Sequence, residues 1–375
     1  MGQMTDVSSL ARKNFLSLQV PNLTDFMHLS KLLLFVLVVF STNALSAKAP
    51  LFTNKEYLNH PPRIIRTCCA FGTDLRVSII PGLRYTMLTA PDLLGPHHYL
   101  GDKGENNGII YTRRGGFVDF GHLRDVVDWT AYLYNLEKKC QQEGEISIHL
   151  GFEDGVKGLF LKIPATEKEE DLIKLAGRIA YDLSIWHEIT TWFGATAVPL
   201  VSEKFSSFSI EDAYSNLLGT KIATEALGSD LPFEEAVTKI ITRTLVDLDA
   251  VTTKEESYQA MEAVRDIWWT RKKPLPNNHV MLQRELGVYA NMKPWLVPGW
   301  ESKNSIPLQV ELSDKTNDGI PLSEFYTLTI KGNHKIPVRK IFHDRTKRLI
   351  TQNDFIPIID YVGTRMLKSN IQFRK

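Results

Sequence analysis

Residues 167–193, EKEEDLIKLAGRIAYDLSIWHEITTWF, carry the longest helical pattern in the chain, and no other stretch constrains the fold as much. Leu172, Leu175, Ile179, Leu183 and Trp186 recur at helical spacing as an apolar stripe, beside a stripe of small or polar residues, Ala180, Ser184, His187 and Thr191. Acidic residues at the start suit the positive end of a helix dipole, and Gly194 is a natural stop. A helix with such a stripe must bury it, so further helices are expected around it. VDFGHLRDVVDWTAYLYNLEKKC supplies one through Leu123, Val126, Val127, Thr130 and Leu133. Another follows Ser209, where Asp212 three residues later resembles a capping arrangement, and two more are expected at 233–248 and 254–269.

Short β elements flank this helical centre. GIIYTRRGGF reads as a strand that meets the first helix at Gly115-Gly116, and EISIHLGFEDGVKGLFLKI as a hairpin turning at Asp154-Gly155. Beyond the Pro-rich KKPLPNN, the stretches IPLQVEL, FYTLTI and KIPVRKI read as strands, followed by a short helix near 353–364. The expected class is α+β, with a mainly helical centre and small flanking β elements. The divisions are 1–47 as an N-terminal extension with signal peptide, 48–300 as the principal domain and 301–375 as a small α+β region.

Residues 27–49 resemble a secretory signal peptide. His28 and Lys31 precede the apolar run Leu32–Phe40, which is too short to span a bilayer, and the small, polar stretch Ser41–Ala47 follows. Cleavage after Ala47 is expected, with Met27 as the initiator in place of Met1. The signal peptide touches the membrane during export, and the remainder is periplasmic or secreted; an uncleaved segment that tethers the chain is the alternative. Removal of residues 1–47 takes three of the 44 basic and two of the 43 acidic residues, which leaves equal numbers. That balance gives no reason to expect nucleic-acid binding. Cys68 and Cys69 are adjacent, so one internal disulfide at most is expected, from Cys140 to Cys68 or Cys69.

The chemistry-bearing residues fall into three groups: Gly121-His122-Leu123-Arg124-Asp125, Trp186-His187-Glu188 and Ser209-Ile210-Glu211-Asp212. Two imidazoles and a carboxylate can hold zinc, or another divalent transition metal, with a position left for water. The expected ligands are His122, His187 and Glu211, with Glu188 as general base and Asp125 orienting His122. HEITT places Thr191 where a zinc-protease helix repeats its His, so the HExxH signature is absent. Each His has a plainer reading as a hydrogen-bonded structural residue, and Asp212 as a cap. Arg113, Arg114 and Arg124 could clamp an anion while Gly115-Gly116 lets its backbone approach, although solvated arginines on a turn fit the same residues. Trp192, with another Trp, could line a groove beside His187 for a carbohydrate or peptide. RKIFHDRTKR at 339–348 reads as a basic face. No nucleophile elbow is present.

GLRYTMLTAP, YTRRGGFVDFGHLRDVVDWTAYL, LAGRIAYDLSIWHEITTWFG and FSSFSIEDAYSNLLG together resemble the bacterial domain-of-unknown-function family 4056 over residues 60–300. The resemblance implies an envelope or secreted protein and draws attention to His122, Arg124, Asp125, His187, Glu188, Glu211 and Asp212, without an established reaction. The expectation is a metal-dependent hydrolase of the bacterial envelope acting on a peptide or cell-wall bond. The alternative is a noncatalytic envelope module that binds glycan, peptide or lipid.

Overall fold

Asp119 starts the structure that matters most. Its Oδ1 accepts from the backbone N–H groups of Gly121 at 2.7 Å and His122 at 3.3 Å, which launches a long helix with two of its orphan donors satisfied. The computed structural model describes residues 60–375 apart from 63–65, 67–68, 79, 196–202, 290, 304–305, 333–334 and 344–347. The expected signal peptide, its cleavage point, the start at Met27 and Cys68 lie outside the described residues, as does part of the basic run 339–348.

In chain order, the elements begin with the strands β1 (Leu75–Arg76), β2 (Arg84–Tyr85), β3 (Ile109–Thr112) and β4 (Gly116–Asp119), followed by helix α1 (Phe120–Glu143). The hairpin β5 (Glu145–Phe152) and β6 (Gly155–Lys162) leads to helix α2 (Glu169–Trp192). Helices α3 (Asp212–Leu227), α4 (Phe233–Asp247) and α5 (Lys254–Ala263) follow. The remaining elements are β7 (Gln283–Glu285), β8 (Asn291–Met292), β9 (Val310–Glu311), β10 (Tyr326–Gly332), α6 (Val338–Ile341), β11 (Leu349–Thr351), α7 (Phe355–Lys368) and β12 (Gln372–Arg374). The class is α+β, as the alternation of long helical stripes and short strands leads one to expect.

Helices α1, α2 and α3 pack on one another, and α3 is buried along most of its length. Small residues set their separation. A β-carbon at Gly219 would stand 2.3 Å from the backbone oxygen of Leu123, and one at Gly177 would stand 2.8 Å from Cγ2 of Thr220. Only glycine lets α3 approach α1 and α2 this closely. Trp186 is fully buried, stacks on Phe355 of α7 and donates its indole N–H to the carbonyl of Glu153 at 3.1 Å. That bond ties α2 to the hairpin tip.

A four-stranded antiparallel sheet in the order β11-β10-β6-β5 lies beside the helices. Its β10 pairs with β6 from Tyr326↔Leu161 to Gly332↔Gly155, and β12 pairs in parallel with β7. Strands from beyond residue 300 therefore complete sheets begun before it, and the described residues cluster as one unit. Among the described residues no helix is long and apolar enough to cross a membrane.

Several local expectations need correction. A strand, β4, runs from Gly116 to α1, so no helix begins at Gly115-Gly116; all four of its residues are buried, so it shows no alternation to read. Gly116, at φ 66°, makes room for the chain's own backbone, since a β-carbon there would meet the carbonyl oxygen of Trp295 at 2.1 Å. The N-cap of α3 is Glu211 rather than Ser209. Helix α5 ends at Ala263, and the chain turns through Asp266 at φ 62°. KIPVRKI contains the short helix α6 behind Pro337, because proline cannot donate to a ladder and presets the first turn. Cys140 is a free, fully buried thiol, so the expected disulfide does not form through it.

Candidate metal centre

Where β4 runs into α1 and where α3 begins, Asp119, His122 and Asp212 bring one ligand atom each to within 4.8 Å of one another. All three are buried, at 0%, 8% and 1% exposure. His122 Nδ1 stands 3.3 Å from Asp212 Oδ1. Asp119 spends Oδ1 on capping α1, while its Oδ2 is buried without a hydrogen-bond partner. Ligand bonds of about 2.0–2.2 Å would close this spacing with small side-chain adjustments. The chain therefore carries a His/Asp/Asp cluster able to coordinate a divalent metal ion. One imidazole and two carboxylates do not select zinc over other first-row ions.

This set differs from the expected His122, His187 and Glu211. Asp119 is a candidate ligand absent from that expectation, and Asp212, expected as a cap or as a residue that supports the ligands or binds substrate, takes a candidate ligand position. The signal for Asp119 was present in its position three residues ahead of His122, but a capping role already accounts for an Asp there. His187 stands off the cluster because Glu153 claims it, Nδ1 lying 2.6 Å from Glu153 Oε1. Glu211 precedes the first turn of α3 and accepts from the Ser209 hydroxyl at 2.5 Å through Oε2, so it is Asp212 that reaches His122.

Glu188, expected as the general base, does not line the cavity that His122 and His187 share. Its Oε2 accepts from the Phe208 backbone N–H at 2.5 Å in the buried interior, where its Oε1 has no partner. Burial and the neighbouring carboxylates Glu211, Glu188 and Asp119 push the Asp212 carboxyl far up, against the opposing charge of Arg284. Glu211 is raised by burial as well, with Asp119 and Glu188 adding to it and its hydrogen bonds opposing. Arg284 is fully buried and bonds to the carbonyls of Ser207, Phe205 and Asn278.

His122 and His187 line one cavity of about 50 Å³, with Asp125, Trp129, Glu153 and Lys157. Their rings meet edge to face at 6.0 Å. The volume holds a few waters. Burial opposes a charge on His187, but the hydrogen bond and charge of Glu153 outweigh it and lift the imidazole to about 9. Burial likewise works against Glu153, yet Lys157, 2.7 Å away, and His187 hold it at about 2. Trp129, Glu153, Lys157 and His187 also line a groove of about 880 Å³. This is a size that accommodates an extended ligand.

The remaining expected residues do not converge on the cluster. Arg124 is fully buried and gives its N–H groups to the carbonyls of Glu105 and Gly95 and to Asn107, so it cannot clamp a substrate. Asp125 bonds Arg66 at 2.9 Å, and burial raises it to about 7 despite that arginine. It lines the same cavity as His122 and His187. Arg113 pairs with Asp249 and Glu256, and Arg114 bonds the carbonyls of Ile306 and Asp247. Trp192 lies under the Arg284 guanidinium at 5.6 Å, and the tryptophan that lines the groove is Trp129.

The profile of a family described as "Protein of unknown function (DUF4056)" matches residues 56–298. Comparison with curated proteins and with solved structures gives no match.

Proposed function

The chain belongs to the DUF4056 family, and from that premise we propose that it is a divalent-metal-dependent hydrolase of the bacterial envelope acting on a peptide or cell-wall bond. The observation that carries this reading is the convergence of Asp119, His122 and Asp212 beside a cavity that His122 itself lines. A bound divalent ion supplies a polarised substrate oxygen and a water that ionises near neutral pH. Asp119, His122 and Asp212 would hold it, with Asp119 fixed by the cap of α1.

His187 takes the acid–base role in place of Glu188. Glu153 holds its Nδ1 and keeps the imidazole charged at neutral pH, so Nε2 is the nitrogen left to give a proton at the cavity. Trp129, with the Lys157 ammonium 5.4 Å over its ring, offers a stacking surface to a sugar or peptide in the groove. The signal-like segment at 27–49 supports an envelope location. Zinc is one of several metals that the donor set accepts.

The test incubates metal-loaded and chelator-stripped protein with isolated cell-wall material and peptides, and reads products by mass spectrometry for cleavage with gain of one water. Cleavage is expected only with metal. His187→Gln should lower turnover by ~10²–10⁴-fold while bound metal stays unchanged. Retention of glycan or peptide without cleavage would favour the noncatalytic module.

A further inference from the structure

Beside the triad, Glu188 and Glu211 each spend one carboxylate oxygen on a protein donor. Oε2 of Glu188 takes the Phe208 N–H, and Oε2 of Glu211 takes the Ser209 hydroxyl. The second oxygen of each, Oε1, is buried without any hydrogen-bond partner, in residues only 2% and 1% exposed. Buried carboxylate oxygens are rarely left unpaired, because the lost hydration is not recovered. Two such oxygens in one neighbourhood point to a ligand that neither the protein nor the first metal ion supplies.

Both glutamates are anchored on one short stretch of chain, Phe208 and Ser209, and Glu211 directly precedes the triad's Asp212, so the two unpartnered oxygens belong to the same buried neighbourhood as the triad.

We propose that the centre takes two divalent cations, the first on Asp119, His122 and Asp212 and the second on the Oε1 atoms of Glu188 and Glu211. This rests on the triad being a metal site. A paired centre would place charge on both the attacking and the leaving oxygen of a hydrolysed bond. It also gives the two glutamates a use that the cavity chemistry does not.

The test loads chelator-stripped full-length protein with Mn²⁺, desalts it and counts manganese by elemental mass spectrometry. Electron paramagnetic resonance on the same sample reports whether the ions are spin-coupled, and needs no variant. Two coupled Mn²⁺ per chain are expected, falling to one uncoupled ion in Glu188→Gln and Glu211→Gln. One ion in the wild type, or two in both variants, overturns the paired centre while the triad stands. No bound manganese, zinc or iron overturns both.

Discussion

Glu105 has no exposed surface and lies between two buried arginines. Arg66 bonds it at 2.7 and 2.8 Å, and Arg124 stands 3.7 Å away. Arg66 also reaches Asp125 and Asp128, so the loop carrying Glu105 is locked onto α1 near the cavity. Burial works against the Glu105 carboxylate, but the hydrogen bond and charge of Arg66, with Arg124, hold it at about 2 rather than 4.5. A carboxyl whose folded pKa is depressed stabilises the protein above its unfolded value, and that contribution disappears as pH falls through the folded value. Stability should therefore drop by about 3 kcal/mol between pH ~4.5 and ~2. Glu105→Gln should cost about 3–5 kcal/mol at neutral pH and flatten that acid slope, as read from urea unfolding across pH. An unchanged slope in the variant would contradict the assignment. At this scale the sequence was least informative. A buried ion pair between Arg66 and Glu105 has no local signal, and Arg124 and Arg113 look identical until one is seen to be buried.

Element placement was more legible. The stripes that mark α1 and α2 and the Asp-Gly hairpin turn are local features with local causes, and the structure has them where periodicity puts them. The site depended on a finer detail. Adjacent residues of an α-helix point about 100° apart, so starting α3 at Asp212, with Glu211 as its cap, decides which carboxylate meets His122. β4 was invisible because it is buried on both faces. The helix approach is testable at Gly219, where a β-carbon would press on the Leu123 carbonyl. Gly219→Ala should lose about 1–3 kcal/mol and weaken metal retention, because α3 carries Asp212 while α1 carries His122. Gly228→Ala, whose β-carbon would meet nothing nearer than 3.7 Å at φ −81°, should leave metal retention intact. Calorimetric unfolding and metal content of the two variants check the contrast; equal behaviour would contradict it.

For the whole molecule, the region beyond residue 300 is structural to the rest. It supplies β10, which lies between β11 and β6, and it supplies Phe355, on which the central Trp186 stacks. Leu328, Ile330, Ile358, Ile359 and Val362 are all fully buried. Sequence reading placed strands and a helix there but could not pair them with partners more than 150 residues earlier, since strand pairing is a non-local choice. A chain ending at residue 300 should fail to show a cooperative unfolding transition; a folded, metal-retaining fragment would contradict this architecture. The most direct measurement is elemental mass spectrometry on the protein purified without chelators, beside Asp212→Asn. Near-stoichiometric or higher divalent metal, lost from a variant that keeps its circular dichroism, is the predicted result. A protein that retains no metal even after reconstitution with zinc, manganese or iron would contradict the metal centre on which the functional reading depends.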